Sequence, residues 1–197
     1  MIRYLITVFI LLLLGACAEE QVPVPKPRMF PKIEYPERNI RQFDLGDCPY
    51  SIEYADYAII ERDSTFMGEQ APNPCWFNLL LPPFNGTIHF SYYPITDRRS
   101  FDKMVEDAFK LTGKHQVKAD YVEEEMIRNA NGVDGFVFRV SGPSASPMQF
   151  YLTDSTDHFV RGALYFNNRV RPDSMQPVYR FVEEDIYELI STFKWKE

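Results

Sequence analysis

Three cysteines and three histidines in 197 residues leave little material for a metal centre or for nucleophile–base chemistry. The histidines, His89, His115 and His158, also fall in separate predicted elements. No Gly-x-Ser-x-Gly, phosphate-binding loop, dinucleotide fingerprint or His-Glu-x-x-His occurs, so none of the reactions those patterns serve is signalled. Positive charge is in deficit: 21 Lys and Arg stand against 28 Asp and Glu, net −7. Such a balance, with no basic stripe, excludes nucleic acid and anionic lipid surfaces as natural partners. Internal repeats are absent. So is an apolar run of membrane-spanning length: Tyr4–Leu14 is eleven uncharged residues, where a bilayer needs roughly 20.

That short run has a different meaning. It follows Arg3 and leads into Leu14-Gly15-Ala16-Cys17, a lipobox at the end of a secretory leader. The expected mature chain starts at Cys17, whose thiol carries the lipid; an ordinary leader with a chance cysteine is the alternative. Two or three acyl chains anchor firmly where one binds only marginally. Loss of residues 1–16 leaves 181 residues at net −8, enough for one domain with its own core. Cys48 and Cys75 then remain as an even pair in an oxidising compartment. A bridge between them closes a loop of 28 residues, worth roughly 3–4 kcal/mol on the chain-entropy argument. Two free thiols, or half of a metal site, are the alternatives.

The organisation reads as leader 1–16, lipidated cysteine and proline-rich tether 17–42, and a single globular domain 43–197. Prolines at 23, 25, 27, 31 and 36 favour a semi-rigid polyproline II tether. The apolar stretch Met29–Pro36 suits an extended strap along the domain. Strands are expected at Tyr50–Glu61, Cys75–Leu81, Gly86–Tyr93, Tyr121–Arg128, Gly135–Val140, Pro147–Thr153 and His158–Asn167. One helix starts near Ser100, with Phe101, Val105, Ala108 and Leu111 as its apolar face and Gly113 as its end. A second runs from about Ser174 to Phe193, with Ser174 as cap and Pro177 in its first turn. The order predicts an α+β fold, an antiparallel sheet flanked by helices. Its ending, Ser191-Thr192-Phe193-Lys194, resembles the helix-to-strand ending of the Mog1/PsbP-type α/β/α sandwich.

Local chemistry is sparse. Asp154, Asp157 and His158 are weak candidates for a cation site, and His158 for activating Ser155; a polar hairpin tip explains the same residues. Glu123-Glu124-Glu125 supplies carboxyls, but neighbours on a strand point to opposite faces, so a solvated edge is the better reading. Trp76 is a candidate stacking platform or, beside Cys75, a core residue. No cofactor is implied.

Several stretches together resemble the gliding motility lipoprotein GldD family of the Bacteroidota. They include Cys48-Pro49-Tyr50-Ser51, Tyr54-Ala55-Asp56-Tyr57-Ala58, Pro74-Cys75-Trp76-Phe77-Asn78, Gly86–Tyr92 and His115. The longest is Ala145–Ser155, continuing through His158-Phe159 and Arg161–Asn167. The resemblance implies a lipid-anchored envelope protein needed for gliding and for type IX secretion, with machinery proteins as partners. It brings no reaction, substrate or catalytic residue. The expected role is a non-enzymatic docking module on the outer membrane in preference to the inner. Its surface is expected on the 145–167 hairpin, at Gln149, Asp154, Ser155 and Arg161. A metal-dependent hydrolase of envelope polymers and a glycan-binding module using exposed Tyr or Trp are the rivals.

Overall fold

The computed structural model describes residues 32–43, 46, 48–62, 65–66, 69–115 and 119–196. The leader, Cys17 and the tether up to residue 31 lie outside the described residues. By chain contacts the molecule divides into Met1–Lys32 and Ile33–Glu197, and the second of these units is the globular domain.

Among its described residues are twelve strands and two long helices: β1 (Ile40–Phe43), β2 (Tyr50–Ala55), β3 (Ile59–Glu61), β4 (Thr65–Phe66), β5 (Glu69–Gln70), β6 (Phe77–Leu81), β7 (Gly86–Pro94), α1 (Arg98–His115), β8 (Tyr121–Arg128), β9 (Asp134–Ser141), β10 (Met148–Thr153), β11 (His158–Phe166), α2 (Pro172–Thr192) and β12 (Lys194–Trp195). Seven strands form one sheet in the order β3-β6-β7-β11-β10-β9-β8, every neighbouring pair antiparallel. A small sheet has the order β1-β2-β12, and β4 and β5 pair with each other. β1 spans the expected tether–domain boundary at 42/43.

Alternation along the strands decides the layers. Phe77, Leu79, Ile88, Phe90, Met148, Phe150, Leu152, Val160 and Leu164 face one way and meet Val182, Ile186, Leu189 and Phe193 from the α2 end of the chain, with Tyr50 and Ile52 of β2. The opposite face carries Phe138, Tyr151 and Phe159, covered by Ala108 and flanking residues of α1. The expected α+β sandwich is therefore present: helix, seven-stranded sheet, then helix with a small sheet.

Five expectations need correction. Tyr50–Glu61 is two strands, because a turn at Asp56–Ala58 carries the chain from the small sheet to the edge of the large one. That turn is held by the bond from the Ala58 amide to the Ala55 carbonyl and by the Tyr57 hydroxyl on Asp185. α1 begins at Arg98, where Asp97 accepts from the Ser100 amide at 2.8 Å and Ser100 accepts from the Asp97 amide at 3.1 Å. This is a reciprocal capping box. Its apolar stripe runs through Phe101, Met104, Val105, Ala108 and Phe109, whereas Leu111 is 39% exposed. Finally, Ser174 is not the cap of α2. Arg171 precedes the helix without a side-chain cap, and Pro172 takes the first position, where no N–H is needed. Pro177 lies inside the helix, leaving one intrahelical bond unmade.

The hairpin β10–β11 is the middle of the large sheet, and Gly162 is its tightest point. A Cβ there would stand 2.1 Å from Cζ of Phe150, whose ring packs edge-on to Phe90 at 5.8 Å. Gly162→Ala is expected to lower unfolding free energy by about 1–3 kcal/mol through overpacking, measured by urea denaturation.

Candidate functional site

The residues singled out in the hairpin do not form one patch. At the tip, Asp154 Oδ1 accepts from the amides of Thr156 (3.0 Å), Asp157 (2.9 Å) and His158 (2.9 Å). Ser155 takes a left-handed conformation, φ 66°, and donates its amide to Thr153 Oγ1. His158 is turned to the sheet: its Nδ1 meets the Tyr92 hydroxyl at 2.9 Å, and its ring stacks on Trp195 at 5.0 Å. The polar cluster thus closes a turn. His158 is engaged away from Ser155, and no group of three or more metal-ligating side chains occurs among the described residues.

Gln149 and Arg161 lie away from the tip, on the α1 face of the sheet. Gln149 is 1% exposed, so it is not the surface contact expected from the sequence. Its Oε1 accepts from the Arg161 guanidinium. Trp76 is buried as well, donating Nε1–H to the Tyr92 carbonyl at 2.8 Å and packing edge-on to Tyr93. A stacking platform at Trp76 is thereby removed. Cys48 and Cys75 form the disulfide, and the buried Tyr50 donates its hydroxyl to the Cys75 carbonyl at 3.0 Å.

The open end of the same hairpin borders a feature the sequence does not signal. A cleft of about 460 Å³ lies between the 141–147 loop, the 166–171 loop and the first turns of α2. Four arginines line it, Arg139, Arg169, Arg171 and Arg180, against two glutamates, Glu123 and Glu183. Arg139 is fixed on the floor. It bonds Glu123 at 2.7 and 3.1 Å and Glu125 at 3.0 Å, and it also touches the Tyr187 hydroxyl. Those Glu123 bonds, ahead of the nearby Tyr187 and Glu125, hold the guanidinium pKa above its usual value, and Arg139 in turn holds Glu123 below the ordinary range. Glu123 and Glu125 share a face and Glu124 does not, as strand geometry requires. Arg169, Arg171 and Arg180 are exposed and form no ion pair with the described residues.

Fold and site together define an α+β sandwich domain that offers a charged cleft. The chain belongs to the gliding motility lipoprotein GldD family, whose sequence profile matches residues 20–195. Membership places it among lipoproteins of the gliding motility system, associated with the cell envelope. A comparison with curated proteins gave no match. Among solved structures, it is similar to the solution structure of cyanobacterial PsbP (CyanoP) from Synechocystis sp. PCC 6803. That likeness has 12% identity and a TM-score of 0.46, and covers 81% of this chain and 94% of that one.

The tip makes a pH-dependent prediction. Partial burial acts to raise the Asp154 pKa, but the three amides and the His158 ring outweigh it and hold the carboxyl below its ordinary value. A depressed native pKa stabilises fully above the unfolded value, near 3.9, and that stabilisation is lost as pH falls through the native one. Asp154→Ala should cost about 1–2 kcal/mol at pH 7. The gap to wild type should close as the pH is lowered below about 4, read by denaturant melts across pH.

Proposed function

We propose that this chain is a lipid-anchored, non-enzymatic docking module of the gliding apparatus that also supports type IX secretion. Acyl chains at Cys17 hold it on the outer membrane in preference to the inner. One observation carries the docking reading: three exposed arginines, forming no ion pair with the described residues, gather round a cleft on a chain of net charge −7. Its volume lies within the range of ordinary binding sites. Local charge of the minority sign selects a complementary partner and speeds its encounter. An acidic segment of an envelope protein fits that description.

The hairpin expected to dock retains a part in this reading. Ala145, Pro147 and Phe166, from its open end, help to line the cleft. Its tip supports the non-enzymatic reading, because Asp154 and His158 are both engaged in local structure. Membrane tethering adds a further effect, since confinement near partners raises their effective concentration without any new contact.

The test is reversal of Arg169, Arg171 and Arg180 to Glu in one chain. All three are exposed, and such surface changes usually shift stability by no more than about 0.5 kcal/mol each. Cells carrying the triple variant should hold normal amounts of folded, lipidated protein, fail to glide, and lose the crosslinks that wild type forms in intact cells. Normal gliding would refute the cleft as the docking surface. Cys17→Ser should release the chain from the membrane fraction and stop gliding; a released chain that still supports movement would remove the need for an anchor.

A further inference from the structure

The seven-stranded sheet ends on one side at β3, three residues long, and on the other at β8, eight residues long. β8 has no second neighbour among the described strands. Its register against β9 is unbroken from Tyr121 to Arg128, with no proline. Two backbone bonds, each continuing a ladder by one step, fix which of its groups are taken. The Asn129 amide donates to the Val133 carbonyl, and the Val140 amide to the Pro147 carbonyl. Odd-numbered residues of β9 therefore bond β8 and even-numbered ones bond β10, because the direction of bonding alternates along a strand. The same alternation leaves the N–H and C=O groups of Val122, Glu124, Met126 and Arg128 pointing out of the sheet. Such a row is a template for one more strand, and proteins blunt it with short strands, prolines, lysines or bulges. β3 is short; β8 has none of these devices.

The side chains along this edge are open. Met126 is 77% exposed and Tyr121 57%. Met126 lies opposite Phe136 in the register, and the Phe136 ring meets Phe109 of α1 edge-on at 5.4 Å. An apolar row thus runs from the helix out to the edge and ends there uncovered. Charge indicates what completes it. Glu123, Glu125 and Glu183 share one guanidinium, that of Arg139. Glu124, on the opposite face, is exposed and forms no ion pair with the described residues. The edge is therefore net negative. A second copy fits it badly, since pairing about a two-fold near the strand centre sets one of the three glutamates against itself. A segment carrying lysine or arginine is complementary.

We propose that the outer edge of β8 takes up an extended, basic segment of a partner protein as an eighth, antiparallel strand. Main-chain bonds to the four outward residues supply the affinity, and alternate side chains supply the choice of partner. A basic residue lies opposite Glu124, and an apolar one opposite Met126 continues the row begun by Phe109 and Phe136. The arginine-lined cleft selects acidic chains, so the two surfaces take different segments.

Calorimetric titration of a synthetic octapeptide, acetyl-Thr-Thr-Leu-Lys-Lys-Lys-Val-Thr-amide, into the mature, lipidated chain in detergent at pH 7 and low salt tests the proposal. Added antiparallel, its leucine faces Met126 and its lysines face the three glutamates. Replacing the lysines by glutamate should weaken binding at least tenfold. N-methylation at the leucine and the central lysine, which removes two hydrogen bonds and no charge, should weaken it about tenfold. Hydrogen exchange should slow at the amides of 122, 124, 126 and 128 when the peptide binds. Glu124→Pro removes one outward N–H at a position where an edge strand tolerates proline. It should bind about fivefold more weakly than Glu124→Gln, and the methylated peptide keeps the test independent of that variant's folding. Reversal of Arg169, Arg171 and Arg180 to Glu should not weaken binding, which separates this surface from the cleft. Four results would each overturn the proposal: no binding, equal binding of the glutamate or methylated peptide, slowed exchange away from β8, or a dimer of the chain crosslinked through β8.

Discussion

Both ends of the domain are fastened to one strand, β2, and the remaining layers depend on that attachment. β1 pairs along one side of β2 and β12 along the other, so the beginning and end of the domain meet there. Just before β2, Cys48 is bonded to Cys75, which lies immediately ahead of β6 in the large sheet. Tyr50, fully buried, stacks on Phe193 at 5.2 Å and meets Trp195 edge-on at 6.0 Å. Aromatic pairs of this kind add roughly 0.5–1.5 kcal/mol each beyond the area they bury. The carboxyl end of α2 is thereby clamped over the sheet, and the helix lies where its Glu183 and Tyr187 can reach Arg139. A small sheet of twelve residues thus sets the position of the wall of the cleft.

The legibility of each feature in the sequence depends on the distance over which that feature is decided. β7, the β10–β11 hairpin and both helices are local, and alternation, helical spacing and turn residues are enough to find them. The break after Ala55 is invisible locally, since Tyr54, Tyr57, Ile59 and Ile60 read as one continuous strand. It is set by the handover from the small sheet to the edge of the large one, where Tyr57 bonds Asp185, 128 residues away. Ser174 reads as the cap, but Pro172, whose ring suits the first helical position, starts the helix two residues earlier. The disulfide is legible from compartment and count, which need no geometry.

The candidate site is the least legible part, for the same reason. Arg139 meets Glu123 because β8 and β9 place them opposite each other, and it meets Glu183 and Tyr187 because α2 crosses that edge. Arg169, Arg171 and Arg180 look like scattered surface charges in the sequence and become a group only when the loop after β11 turns into α2. Gln149 and Arg161 read as exposed polar residues of a hairpin. Alternation alone puts them on a face of the sheet; only the position of α1 shows that this face is partly covered. Asp154 and Ser155, by contrast, are decided by a turn of five residues, and the turn explains them.

The strap decides where the domain begins. Tyr35 stacks on Phe181 at 4.6 Å, and Arg38 lies over the same ring at 4.0 Å while bonding Asp185 at 2.6 Å and Glu184 at 2.8 Å. Burial raises the Asp185 pKa, with Tyr57 and Arg38 opposing it, so this anchor is a partly dehydrated charge pair that resists salt better than an exposed one. The chain is therefore committed to the domain from Tyr35 onward, well before the boundary expected near residue 42.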